Sequence, residues 1–184
     1  MDIRIMSKDN AEDFFSYSHE KEWACVSITD FDEIKPLFQT SIATKRLVFS
    51  DIETTDNIPE DYINKRNLKF FTKEIAYKIK TFVDLITDFE CGLIVHCHAG
   101  ISRSSAVAFA LEEYFNKCDS KKLFKQHGYA PNMEVYAILC EELGIEKSKE
   151  ELATLDNINQ EQFRNSDKFK EMFEAGDGIA RNMF

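Results

Sequence analysis

The run LIVHC, residues 93–97, constrains the fold more than any other stretch of this chain. It is apolar without alternation until its last two residues, as expected of a short strand buried on both faces of a parallel sheet. An alanine-rich stretch, RSSAVAFALEEYF, begins at Arg103 and predicts a helix from about Ser102 to Asn116. Similar alternation runs through the rest of the chain. DIRIM and WACVSI read as strands around a helix near AEDFFSY, and DEIKPLF as a short helix or turn. RLVFSDI, rich in β-branched and aromatic residues, is a third strand. From about Leu68 the apolar period becomes helical through Phe71, Ile75, Ile79, Phe82, Val83, Ile86 and Phe89, with Gly92 as the stop. The stripe over residues 70–89 is therefore core. APNMEVYAILCEELG is a further helix, with Pro131 near its first turn and Gly144 at its end. Strands alternating with helices predict an α/β domain with a central, mainly parallel sheet flanked by helices. Ligands of such sheets sit at the carboxyl ends of the strands, where Cys97 lies.

Composition narrows the partners. The formal net charge is −10 and the acids are spread along the chain, which argues against nucleic acid or an anionic membrane as a partner. No apolar run reaches membrane-spanning length, and MDIRIMSKDNAEDF lacks the basic and apolar regions of a signal peptide. The five cysteines have no regular spacing, so a reducing, cytoplasmic setting is expected rather than a disulfide framework. Cys25, Cys118 and Cys140 read as small hydrophobes, and Cys91 as exposed beside Gly92. His19 and His127 read as surface or loop residues. The polar stretch ETTDNIPEDYINKRN reads as an active-site type of loop.

Between the strand end at Cys97 and the helix start near Ser102, about five backbone N–H groups can join neither ladder. Converging, they form a nest for an anion, backed by the helix dipole. His98, Ala99, Gly100, Ile101, Ser102 and Arg103 are the candidate substrate-binding residues. Gly100 permits the tight path, and Arg103 can grip two oxygens of the same anion. A phosphoryl group suits that arrangement. A thiol beside a guanidinium and a helix N-terminus is favoured as thiolate, the form that attacks phosphorus. Ser104 can steady the sulfur through its hydroxyl, and His96 braces the loop from the strand. The loop supplies its own positive charge, so no metal and no cofactor is expected.

The signature H-C-x5-R-S, present as HCHAGISRS, resembles that of the cysteine-dependent protein tyrosine phosphatases, and most closely their dual-specificity branch with its small microbial relatives. ACVSITD, LVFSDI and APN, the last about thirty residues after the arginine, fall where such proteins have comparable segments. The likeness covers roughly residues 3 to 145. It implies a tyrosine-phosphatase-like architecture for residues 1–145; residues 146–184 lie outside the likeness and, from their mixed charges and apolar spots, read as a helical extension of one or two helices packed on the same domain. It also implies a cysteinyl-phosphate mechanism with Cys97 and Arg103 catalytic, and a general acid on a separate movable loop. That acid follows the strand preceding the long helix, which points to Asp51, with Asp56 and Asp61 as rivals. Asn132 resembles a residue that lies close to the phosphate loop. The expected partner is a phosphorylated protein or a small phosphate ester. A pseudophosphatase that binds phosphoproteins without turnover is the alternative. A rhodanese-type fold is disfavoured by the LVFSDI and APN segments. A phosphoinositide phosphatase would place lysines in the loop, and HAGIS has none.

Overall fold

The computed structural model describes residues 1–54, 58–126 and 128–165. Strands β1 (Ile3–Ser7), β2 (Trp23–Thr29), β3 (Thr44–Val48) and β4 (Gly92–Cys97) form one sheet in the order β1-β4-β2-β3. Every pairing is parallel. The α/β expectation thus holds, and the sheet is wholly rather than mainly parallel. Helix α1 (Lys8–Phe14) follows β1. Next come α2 (Glu60–Arg66), α3 (Lys73–Ile86), α4 (Arg103–Asn116), α5 (Ser120–Phe124), α6 (Met133–Glu142) and α7 (Lys149–Arg164).

All of β2 and β4 is buried, and their side chains alternate between two apolar clusters. Ala24, Val26, Ile28, Leu93, Val95 and Cys97 face the larger one, with Ala76, Ile79 and Val83 of α3, the apolar residues of α4 and Val135 of α6. Trp23, Cys25 and Ile94 face the smaller one, with Ala11, Phe15 and Phe38. Period-two alternation therefore operates inside a run that the sequence presents as continuously apolar, because both faces are covered. Helix α4 is buried without a break from Arg103 to Leu111. Its alanines 106, 108 and 110 let it lie close to the sheet and to α6, and burying so continuous a surface is what fixes its N-terminus behind the loop. At the other end of β4, a Cβ on Gly92 would lie 2.3 Å from the Trp23 ring, so the strand begins with the one residue that leaves the indole room.

Several boundaries differ from the sequence reading. DEIKPLF, read as a short helix or turn, contains no helix. The polar loop carries α2, with Asn67 ending it in the left-handed region. Helix α3 starts late, because Thr72 accepts from the Ile75 amide and caps it there; Phe71 packs in the core from outside the helix. At its other end the Thr87 hydroxyl bonds back to the Val83 carbonyl and one 3-10 turn follows, which puts Phe89 at 63% exposure instead of in the core. Cys91 is buried, not exposed, its thiol directed at the Ile86 carbonyl. Pro131 precedes the α6 cap, Asn132, and stands outside the helix. The short α5, capped by Asp119, had no apolar period to announce it. His127 and, within the expected C-terminal extension, residues 166–184 lie outside the described residues.

Candidate active site

β4 delivers Cys97 to the carboxyl end of the sheet, on the face that α4 covers. The side chain is 2% exposed and its Sγ lies 3.2 Å from Ser104 Oγ, a separation at which either atom can donate. The loop then turns beneath β1. Gly100 has φ +72, and a Cβ there would stand 2.6 Å from the Met6 carbonyl carbon and the Ser7 nitrogen. Glycine is required on both counts.

Three of the loop's carbonyls, those of His98, Ile101 and Ser102, are engaged within the protein. His98 O accepts from the Lys8 amide and Ile101 O from the Ala130 amide. The Ser105 hydroxyl donates to the carbonyls of Ile101 and Ser102. Among the described residues none accepts from the amides of Ala99, Gly100, Ile101 or Ser102. Carbonyls tied outside and amides left unengaged are the arrangement an anion nest needs. Ser102 at the head of α4 provides no side-chain cap, its hydroxyl donating instead to Asp51 Oδ1 at 2.7 Å.

Arg103, buried to 4% exposure, occupies the first turn of α4. Its Nη1 donates to the Phe49 carbonyl at 2.8 Å and meets Asp30 Oδ2 at 3.0 Å. Its Nε is buried with no protein partner among the described residues. A buried guanidinium nitrogen without an acceptor is costly unless a ligand supplies one.

His96 points away from Cys97, to the other face of the sheet. Its Nε2 is 2.8 Å from Ser27 Oγ, its register partner on β2, and the ring meets Phe38 edge-on. Burial pushes its pKa down to about 4, against the pull of the Cys97 backbone and of Glu33. The imidazole is a neutral strut at neutral pH.

Asp51 is exposed at the loop's rim, where it also accepts from Asn132 Nδ2 at 3.2 Å. Asn132 in turn caps α6 through the Val135 amide. Glu53 accepts from the Met133 amide at 2.9 Å, so the segment bearing Asp51 is fastened to the head of α6. Asp61 sits exposed in the first turn of α2, and Asp56 lies outside the described residues. The structure thus brings Cys97, Arg103, Ser104, Asp51 and Asn132 around one loop, and among the described residues Asp61 makes no contact with it.

Two site residues escaped the sequence reading, Asp30 and Glu33 in the turn after β2. Glu33 Oε1 pairs with His98 Nδ1 at 3.0 Å and Lys8 Nζ at 3.5 Å. Burial acts to raise the Glu33 carboxyl, but the His98 hydrogen bond, the Asp30 amide and Lys8 together hold it below the usual range. The only available signal was the three acids in ITDFDE, Asp30, Asp32 and Glu33, directly after a buried strand at a carboxyl end of the sheet.

A parallel α/β sheet with a cysteine, an anion-type loop and a buried arginine at one strand end defines a class of site, and solved structures of phosphatase-like proteins match the chain. They include human DUSP28, at 11% identity over 87% of this chain and 94% of that one, with a TM-score of 0.45. Human tyrosine phosphatase-like serine/threonine/tyrosine-interacting protein matches at 18% identity over 86% and 89%, with a TM-score of 0.46. Tk-PTP in its active form matches at 11% over 88% and 91%, with a TM-score of 0.32. Likeness of this degree is no ground for an activity. No family model matches the chain. No curated protein matches it either.

Proposed function

We propose that the protein hydrolyses phosphate monoesters through a phosphocysteine on Cys97, acting on phosphotyrosine and on phosphoserine or phosphothreonine in proteins. The observation that carries this reading is the buried Arg103 guanidinium with its Nε unpartnered, in the same loop as a cysteine whose Sγ lies 3.2 Å from a serine hydroxyl. The thiolate of Cys97 attacks phosphorus while the ester P–O bond breaks, and Asp51 gives the leaving oxygen its proton. The loop amides and Arg103 stabilise the equatorial oxygens. Water, deprotonated by the Asp51 carboxylate, then attacks phosphorus, the S–P bond breaks, and phosphate leaves. Ser104 supports the sulfur as nucleophile and as leaving group. A reactive thiol suits a reducing compartment, and we place the protein in the cytoplasm.

Cys97→Ser is expected to abolish hydrolysis of an aryl phosphate while leaving the thermal unfolding midpoint in place. Full activity in a clean preparation of that variant overturns the cysteine mechanism. The same variant retains bound substrate, so identifying what it captures names the substrate. A rate that collapses on adding EDTA would point to a metal hydrolase instead.

A further inference from the structure

The turn at residues 30–33 grips the catalytic loop at both ends. Asp30 holds Arg103, the first residue of α4 directly after the loop, and Glu33 holds His98, the residue after the nucleophile. The turn is itself stiffened. The Glu33 amide donates to the Asp30 carbonyl at 3.3 Å, and the Asp30 amide donates to Glu33 Oε2 at 3.1 Å. Glu33 and Lys8 are mostly shielded, with side chains 14% and 18% exposed, so the brace is packed in place.

The position of Asp30 on the guanidinium is informative. Among the described residues both partners of Arg103, the Phe49 carbonyl as hydrogen-bond acceptor and Asp30 Oδ2 as ion-pair partner, sit on the single nitrogen Nη1. Among the described residues Nε has no partner, and no bond engages Nη2. An arginine fork binds an oxyanion through two neighbouring nitrogens. With Nη1 occupied, the edge left to an anion is the Nε–Nη2 pair. Without Asp30, one carbonyl alone would define the rotation of the planar group, and Nη1 could swing toward the ligand.

We propose that Asp30 is a positioning residue for the reaction: by engaging Nη1 it fixes Arg103 before substrate arrives and presents the Nε–Nη2 edge to the phosphoryl group. The consequence for turnover rests on the phosphatase reading given above; the effect on Arg103 does not. A misplaced catalytic group loses rate even when it is still present.

The test uses the full chain in three forms, wild type, Asp30→Ala and Asp30→Asn, the last keeping a side-chain oxygen for Nη1. Hydrolysis of para-nitrophenyl phosphate is measured together with the NMR signal of the Arg103 Nε–H, before and after adding inorganic phosphate. Asp30→Ala is expected to lower kcat/KM by about tenfold and to broaden the Nε–H signal, with Asp30→Asn restoring kcat/KM to within about threefold and the sharp signal. Should Asp30→Ala not fold, Asp30→Ser takes its place with the same expectation. The proposal is overturned by activity and signal that stay as in wild type. It is equally overturned by lost activity with an unaltered signal, or by a broadened signal with full activity. If the wild type hydrolyses no phosphate ester, the functional reading falls, while the signal in Asp30→Ala still decides whether the turn holds Arg103.

Discussion

Arg103 is fixed by backbone and carboxylate on one nitrogen, and this makes charge alone an inadequate substitute for it. Lysine would keep the charge and lose the planar fork, so Arg103→Lys is expected to cost on the order of a hundredfold in kcat/KM for an aryl phosphate. Asp51 is tested by leaving group rather than by position. An acid matters most when the leaving oxygen is a poor one, so Asp51→Asn should lose more rate on a phosphopeptide than on an activated nitrophenyl ester. It should also flatten the basic limb of the pH–rate profile. Asp61→Asn, on the exposed face of α2, should show small effects that do not depend on the leaving group. His96 gives a pH effect of a different kind. Its folded pKa, about 4, is below the ordinary 6.5, so the unfolded chain binds the extra proton more readily. Stability is then complete above about pH 6.5 and declines as the pH falls toward 4, by on the order of 3 kcal/mol in all. Chemical denaturation at pH 7 and pH 4.5 should show the decline, and His96→Asn should reduce it.

Among the elements, β4, its loop and α4 were the most legible, because one unalternating strand, a glycine and an alanine-rich run all point to the same strand–loop–helix unit. Gly100 illustrates what the sequence could and could not tell. A tight path was legible; that the path runs against the backbone of Met6 and Ser7 was not, since β1 is remote in the chain. Gly100→Ala must push the loop off β1 and adopt a strained φ. It is expected to cost about 2 kcal/mol in thermal unfolding and most of the activity. Asn132 was legible through its resemblance, and its double role in capping α6 and holding Asp51 came from the fold. Asn132→Ala should cost about 1 kcal/mol of stability as a lost cap, and should also slow turnover of poor leaving groups. The Asp30–Arg103 pair was illegible because an aspartate after a strand carries no local pattern, and its partner is chosen by sheet order alone. Phe89 was misread for the opposite reason, the helical period being continued past the point where Thr87 ended the helix, and Cys91 because its place beside Gly92 gave no sign that it is buried.

At the scale of the molecule, α7 is attached to the domain through a buried charge. Lys147 Nζ lies 2.8 Å from Glu113 of α4 and 2.9 Å from Glu151 of α7, and also donates to Ser120 of α5. Tyr136 of α6 bonds to the same Glu113. Removing Lys147 leaves the shielded Glu113 carboxylate without its counter-charge, the Tyr136 hydroxyl its remaining partner, so Lys147→Met is expected to destabilise by about 3 kcal/mol and to expose the α7 junction to limited proteolysis. The sheet order has a consequence in time rather than in space. β4 lies between β1 and β2, yet it is the last strand to be synthesised, and Ile3 must wait for Leu93 as its partner. A nascent chain that has released β1, β2 and β3 holds two strand edges facing a gap, which is the kind of exposed edge that chaperones cover. Because the Cys97 loop is the end of that missing strand pressed against β1, sheet closure and assembly of the candidate site are a single event, and on refolding from denaturant the far-UV signal of the sheet and the proposed phosphatase activity should return in one phase.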